Sequence, residues 1–146
     1  ETEDRQSAVI VASNVPPDDV LIRFNSFAPG QGVVTEGGDD PTNFRIVGNI
    51  IGTAPDCNWG NGPGEITWEY NLSIGGNCGG TNATISSMPY VNPDKEESMD
   101  YHLSGSAGST TADDFVDCTT SDCSLSVDRD GDSRSNPRDA GADERP

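Results

Sequence analysis

Three short β-rich segments of this chain each carry an asparagine at the same position. They are VLIRFNSF (20–27), FRIVGNII (44–51) and ITWEYNLS (66–73). Their asparagines, Asn25, Asn49 and Asn71, are 24 and 22 residues apart. A repeat of this length in β-rich sequence is typical of solenoids. Leucine-rich repeats share the period but need leucines at fixed offsets, and this chain has few leucines. The pattern therefore favours a parallel β-coil, and the alternative is three unrelated strands.

In a parallel β-coil, equivalent residues of successive turns stack about 4.8 Å apart. Asparagine side chains stacked at this distance hydrogen-bond along the coil axis, which explains an asparagine where β-propensity disfavours it. The residues three positions before each asparagine, Ile22, Ile46 and Trp68, are predicted to point inward. An earlier run, residues 8–12, is predicted to be a strand of the preceding turn, and the repeat is predicted to fade after Gly80.

Alternation along the strands places a second row on the outside, where ligands could bind. This outer face contains Arg23, Val47 and Glu69, with Arg45 and Thr67 two residues earlier. The charged members, Arg23, Arg45 and Glu69, are predicted to form a patch that binds a glycan or simply faces solvent. No base suited to sugar chemistry is evident beside them.

The four cysteines agree with the repeat. Cys57 and Cys78 follow Asn49 and Asn71 by eight and seven residues, so they occupy similar places on adjacent coils. Four cysteines allow three pairings, and the repeat favours Cys57–Cys78 with Cys118–Cys123. Neither pair has the C-x-x-C spacing typical of zinc ligands. Disulfides predict an oxidising, extracellular compartment.

The charge of the chain limits its partners. Asp and Glu number 25 against 8 Lys and Arg, a net charge of −17. Such a surface repels nucleic acid and anionic membranes, and no apolar run reaches the roughly 20 residues of a membrane span. Only 32% of residues are hydrophobic, so something besides a large apolar core must hold the chain together.

The second half of the chain resembles a known family. The pieces MPYVNP, DYHLSGSAGS and D-x-D-G-D-x-R…D-x-G-A-x-E are similar to the C-terminal ending of secreted right-handed parallel β-helix proteins of the pectate-lyase-like superfamily. The resemblance implies a right-handed parallel β-helix, with coils over residues 1–88 and a loop-rich C-terminal strand and acidic cap over 89–146 of the same domain. It also implies the C-terminal portion of a longer protein.

Two further features are candidate sites. Trp59 lies in a glycine-rich loop, where it could stack on a sugar ring or cover a coil edge. Asp128, Asp130 and Asp132 alternate around Gly131 and suggest Ca²⁺, which takes 6 to 8 oxygen ligands. Glycine at the fourth loop position excludes an EF-hand, and the alternative is a closing turn in which these carboxylates pair with arginines.

The sequence leads to two functional hypotheses. In the first, the chain is a structural or glycan-binding β-helix segment of a secreted or cell-surface protein. In the second, it is part of a carbohydrate-active enzyme, such as a polysaccharide lyase, whose catalytic coils lie upstream. The first coil has no evident cap, so upstream chain or a neighbouring copy is expected to cover it. Of two glycosylation sequons, at Asn71 and Asn82, only the one at Asn82 is expected to be accessible.

Overall fold

The computed structural model describes residues 9–13, 18–37, 41–57, 66–92 and 100–104, and in the C-terminal part residues 112, 115–117, 119–120, 123, 126–127, 131, 133–134 and 140–141. These residues form ten strands: β1 Val9–Ser13, β2 Leu21–Arg23, β3 Val33–Gly37, β4 Phe44–Val47, β5 Ile50–Ile51, β6 Ile66–Glu69, β7 Leu72–Ile74, β8 Ala83–Ile85, β9 Tyr90–Asn92 and β10 Asp100–Leu103. The prediction of an all-β fold is confirmed. Among the described residues, no helix has the length and hydrophobicity needed to cross a bilayer.

The strands form three small parallel sheets and one antiparallel pair. Their orders are β2-β4-β6, β5-β7-β8, β1-β3 and β10-β9. In the first sheet Ile22 pairs with Ile46, and Ile46 pairs with Trp68, which is the register that the asparagine spacing predicts. In the β1-β3 sheet Val9 pairs with Val33, again 24 residues along. Strands one repeat apart in sequence therefore lie side by side.

A left-handed backbone turn joins the first sheet to the second. Phe24, Gly48 and Tyr70, which directly precede the three asparagines, have φ angles of 49°, 68° and 53°. A residue in this region cannot continue a strand, so the chain changes direction at the same place in each of the three repeats. Gly48 is also needed for space, because a Cβ there would lie 2.9 Å from the Phe24 ring.

Among the described residues the core consists of two separate clusters. The first lies between the three parallel sheets and contains Phe27, Val33, Phe44, Ile46, Ile51, Ile66 and Trp68. The second lies on the other side of the same strands and joins them to the C-terminal part; it contains Phe24, Val47, Ile50, Leu72, Ile85, Tyr90, Leu103, Ala112, Val116, Cys123 and Ala140. A chain with few hydrophobic residues thus buries the inner face of its strands and part of the outer face.

The second cluster corrects the prediction for the outer row. Val47 was expected on an exposed face, but its side chain is fully buried, with 0% exposure. Described residues of the C-terminal part contact these strands and their turns: the Gly141 N–H donates to the Gly48 carbonyl at 2.8 Å, and the Arg134 guanidinium lies 4.6 Å from the centre of the Phe24 ring. Alternation predicts the direction of a side chain, but it cannot predict which outer surface another segment covers.

Candidate ligand-binding face

A column of stacked asparagines lies at the turns between the first and the second parallel sheet. The backbone N–H and the side-chain amide of Asn25 both donate to Oδ1 of Asn49, each at 2.9 Å. The same two donors of Asn49 reach Oδ1 of Asn71 at 3.0 and 2.9 Å. Asn49 and Asn71 are 0% and 2% exposed. These bonds satisfy buried polar groups at each turn and fix the spacing of the strands that carry the outer face.

The column has a fourth member that the sequence interpretation missed. Asn71 donates its backbone N–H and side-chain amide to Oδ1 of Asn82, at 2.9 and 2.8 Å. Asn82 follows Asn71 by 11 residues instead of 22 or 24, so the repeat continues past Gly80 at half its former length. The signal was local: an asparagine before a small β-rich run, Ala83–Ile85, as in the earlier coils.

A second polar stack lies where the chain enters the first sheet. Asn43 donates to the Asp19 carboxylate at 2.7 Å, and the Thr42 hydroxyl donates to the carboxylate of Asp18. Asp19 and Asn43 have positive φ angles, 54° and 52°, which are tolerated best by Asp and Asn among side-chain-bearing residues. The signal was present in the sequence, because both pairs have the 24-residue spacing.

The exposed part of the outer face lies beside this stack. Arg45 forms an ion pair with Asp19 at 3.0 Å, and their side chains are 23% and 70% exposed. Thr67 is exposed and pairs with Arg45 across the β4-β6 register. Arg23 and Glu69 are half-buried and belong to the row interrupted by Val47. The structure therefore brings Arg23, Arg45 and Glu69 onto one sheet, as a mixed-charge surface and not a basic one.

The other predicted site residues cannot be placed on this face. Trp59 and the three aspartates predicted for Ca²⁺, Asp128, Asp130 and Asp132, lie outside the described residues. Within the described part of the chain, no group of three or more His, Cys, Asp and Glu side chains is arranged to hold a metal ion.

A disulfide links the segments that follow the second and third repeats. Cys57 and Cys78 are bonded, with their Cα atoms 5.4 Å apart. Cys123 is also disulfide-bonded; its predicted partner, Cys118, lies outside the described residues. The Cys57–Cys78 bond is consistent with an oxidising environment such as the extracellular space.

A groove away from the outer face was not anticipated from the sequence. It has a volume of about 420 Å³ and is lined by Pro29, Gly30, Gly52, Ile74, Ser86, Ser87 and Met88. One of these lining residues, Gly52, must be glycine, because a Cβ there would lie 1.8 Å from the Ala28 carbonyl oxygen. The lining offers hydroxyl and backbone groups but neither charge nor an aromatic ring, so the outer face is the better candidate for a polar ligand.

Comparison with protein-family models, with curated proteins and with solved structures finds no match for this chain.

Proposed function

We propose that the chain is a segment of a secreted or cell-surface right-handed parallel β-helix protein, similar to the pectate-lyase-like superfamily, with a structural or glycan-binding role. The observation that carries this proposal is the asparagine column. It links equivalent turns at spacings of 24, 22 and 11 residues, and parallel strands flank it on both sides. Stacked equivalent residues with parallel pairing are the defining geometry of a β-coil.

The glycan-binding role is assigned to the exposed part of the outer face. Asp19 supplies hydrogen-bond acceptors, Arg45 supplies donors, and Thr67 supplies both. Neutral polysaccharides present hydroxyl groups that fit such a mixed surface. A polyuronate fits less well, because Asp19 already pairs with Arg45 and the whole chain carries a net charge of −17.

Affinity electrophoresis in gels containing neutral polysaccharides, with alginate and pectate for comparison, tests this role. We expect retardation by a neutral glycan that the variants Asp19→Ala and Thr67→Ala weaken. Asn77→Ala is the matched control, because Asn77 is exposed and lies away from the first sheet. Equal migration of all variants with every glycan would contradict binding at this face and leave a structural role.

The alternative is a carbohydrate-active enzyme with its catalytic coils upstream. The observation favouring it is that Arg23 and Arg45 lie on neighbouring strands of one sheet, where arginines could neutralise a uronate carboxylate during elimination. We expect the present chain alone to be inactive as a lyase. The measurement is ultraviolet absorbance of unsaturated uronate products from alginate, pectate and glycosaminoglycans; turnover lost in both Arg23→Ala and Arg45→Ala would establish the enzymatic alternative.

A further inference from the structure

One flank of the repeats carries no charge. Three stretches of the described sequence, residues 24–35, 46–55 and 70–92, contain no Asp, Glu, Lys or Arg. The second parallel sheet, β5-β7-β8, is built entirely from the last two of these stretches. The surface that the three stretches form is called here the uncharged face. It belongs to a chain with a net charge of −17, so its composition differs sharply from that of the rest of the molecule.

The groove that Gly52 and Met88 line belongs to the uncharged face. All three stretches contribute to it: Pro29 and Gly30 from the first, Gly52 from the second, and Ile74, Ser86, Ser87 and Met88 from the third. The third stretch also contains Val91, which is 56% exposed although it is a large hydrophobic residue. Exposed apolar surface without charge is typical of a contact with another protein.

The last strand of the second sheet gives this face an open edge. The Ala83 N–H donates to the Asn71 carbonyl at 2.9 Å, so the backbone groups of Ala83 face β7. Because the backbone groups of successive residues point to opposite sides of a strand, those of Thr84 point away from β7. Within the described part of the chain β8 pairs only with β7, and Thr84 is exposed. The Thr84 hydroxyl accepts from Asn77 at 2.7 Å, but its backbone N–H and C=O remain available to another strand.

We propose that a second copy of this chain binds the uncharged face, with the two β8 strands antiparallel across a two-fold axis at Thr84. The N–H of Thr84 in each copy then donates to the Thr84 carbonyl of the other copy. Two sheets of three strands become one sheet of six, and the edge that β8 leaves open in the single chain is covered.

Charge selects a second copy as the occupant. A two-fold axis places the same surface of each copy against itself, so an uncharged face meets an uncharged face. Contact through the first sheet would instead bring carboxylates together, such as that of Asp19, whose side chain is 70% exposed. A cationic peptide is attracted to a chain of this net charge, but the uncharged face offers it no carboxylate to pair with.

Sedimentation equilibrium at about 10 μM and about 500 μM tests the proposal, since a small interface of this kind fits a micromolar dissociation constant. We expect monomer at the low concentration and dimer at the high one. Added salt should strengthen the dimer, because it screens the repulsion between two copies that each carry −17. A monomer at both concentrations, also in high salt, would overturn the proposal and leave this edge to a strand of a different protein.

A charge placed on the uncharged face should weaken the dimer. Ser87→Asp puts one carboxylate of each copy into the same interface, so we expect the dissociation constant to rise at least about tenfold. Thr119→Asp is the matched control: it adds the same charge at an exposed position close to Asp117, which is also exposed. This control should change the dissociation constant by no more than about twofold. Equal weakening by the two variants would show that the copies bind through another surface.

Amide hydrogen exchange measured by NMR separates strand pairing from other contacts on this face. The Thr84 N–H should exchange rapidly in the monomer and at least about tenfold more slowly in the dimer. The Ala83 N–H is the internal control, because its hydrogen bond to the Asn71 carbonyl protects it in both states. A dimer in which the exchange of Thr84 is unchanged would overturn the pairing of the two β8 strands.

Discussion

The carbonyl oxygen of Gly79 accepts hydrogen bonds from Asn82, just as the Oδ1 of an asparagine accepts them from each earlier member of the column. It accepts the backbone N–H at 3.1 Å and the side-chain amide at 2.7 Å. Gly79 and Gly80 have φ angles of 74° and 61°, and these left-handed conformations form the tight turn that returns the chain to Asn82. A short turn thus ends the column without another asparagine.

Asn49→Ala should destabilise the protein more than Asn25→Ala. Removing the Asn49 side chain takes the acceptor from the backbone N–H of Asn25 and removes one donor each from the Ile22 carbonyl and from Oδ1 of the buried Asn71. Buried polar groups left unpaired cost about 1–3 kcal/mol each. We expect the free energy of unfolding, measured with urea, to fall by about 3 kcal/mol in Asn49→Ala and by about 1 kcal/mol in Asn25→Ala.

Asn25→Ala is the matched control because it removes the same chemical group at the exposed end of the column. Equal losses for the two variants would mean that the hydrogen bonds along the column contribute little beyond the local turn.

The sequence predicted the pairing of the first sheet because one residue type marks the same turn in each repeat. Asn49 and Asn71 fixed the register, and the register in turn predicted the pairing of Cys57 with Cys78. The continuation at Asn82 was missed because Asn82 follows Asn71 by only 11 residues. A comparison that assumes a constant repeat length cannot find a shortened repeat, although the local sequence pattern of the shortened repeat is the same.

The burial of the outer face could not be predicted in the same way. Val47 alternates outward as expected, but it is buried in a cluster with Leu103 and Ala140, which are distant in sequence. The repeat does not specify which C-terminal residues pack against which strands. That arrangement depends on individual contacts, such as the Gly141 N–H donating to the Gly48 carbonyl.

Removing the Cys57–Cys78 disulfide should lower the free energy of unfolding by about 3 kcal/mol. Cys57 and Cys78 are 21 residues apart in sequence, and a crosslink closing a loop of this length restricts the unfolded chain by about that amount. The double variant Cys57→Ser/Cys78→Ser, compared with the parent by urea unfolding, gives the measurement. An unchanged midpoint would show that the crosslink does not restrict the unfolded chain by the expected amount.

Gly141→Ala should weaken the packing of Gly141 against the strands and turns that it contacts. The φ angle of Gly141 is 95°, and a Cβ there would lie 2.7 Å from Ser26 Oγ and 2.9 Å from Ile50 Cδ1. We expect a loss of about 3 kcal/mol, combining about 1–2 kcal/mol of backbone strain with the cost of overpacking. Thermal unfolding followed by circular dichroism measures it.

Gly131→Ala is the control for backbone strain alone. Gly131 has a nearly identical φ of 93°, and a Cβ added there meets no atom within 4 Å. Gly131→Ala should therefore lower the free energy of unfolding by only about 1–2 kcal/mol. If both variants lose the same amount, the close contact of Gly141 with Ser26 and Ile50 has no energetic importance.

The sequon at Asn82 should remain unmodified in the folded protein, contrary to the expectation of an accessible site. The side-chain amide of Asn82 uses its two hydrogens to donate to the carbonyls of Trp68 and Gly79. Attachment of a glycan replaces one of these hydrogens and puts a bulky sugar against the end of the column. Intact mass of the protein secreted from a glycosylating host should therefore show no added sugar at this position.

Thr84→Ala provides the comparison, because it removes the sequon but keeps Asn82 and its hydrogen bonds. If some molecules are glycosylated before they fold, they should unfold at lower urea concentration than Thr84→Ala protein from the same host. The loss should be about 1–3 kcal/mol, the cost of leaving a buried carbonyl such as that of Trp68 without its donor. Complete glycosylation of Asn82 with unchanged stability would show that this amide does not hold the end of the column.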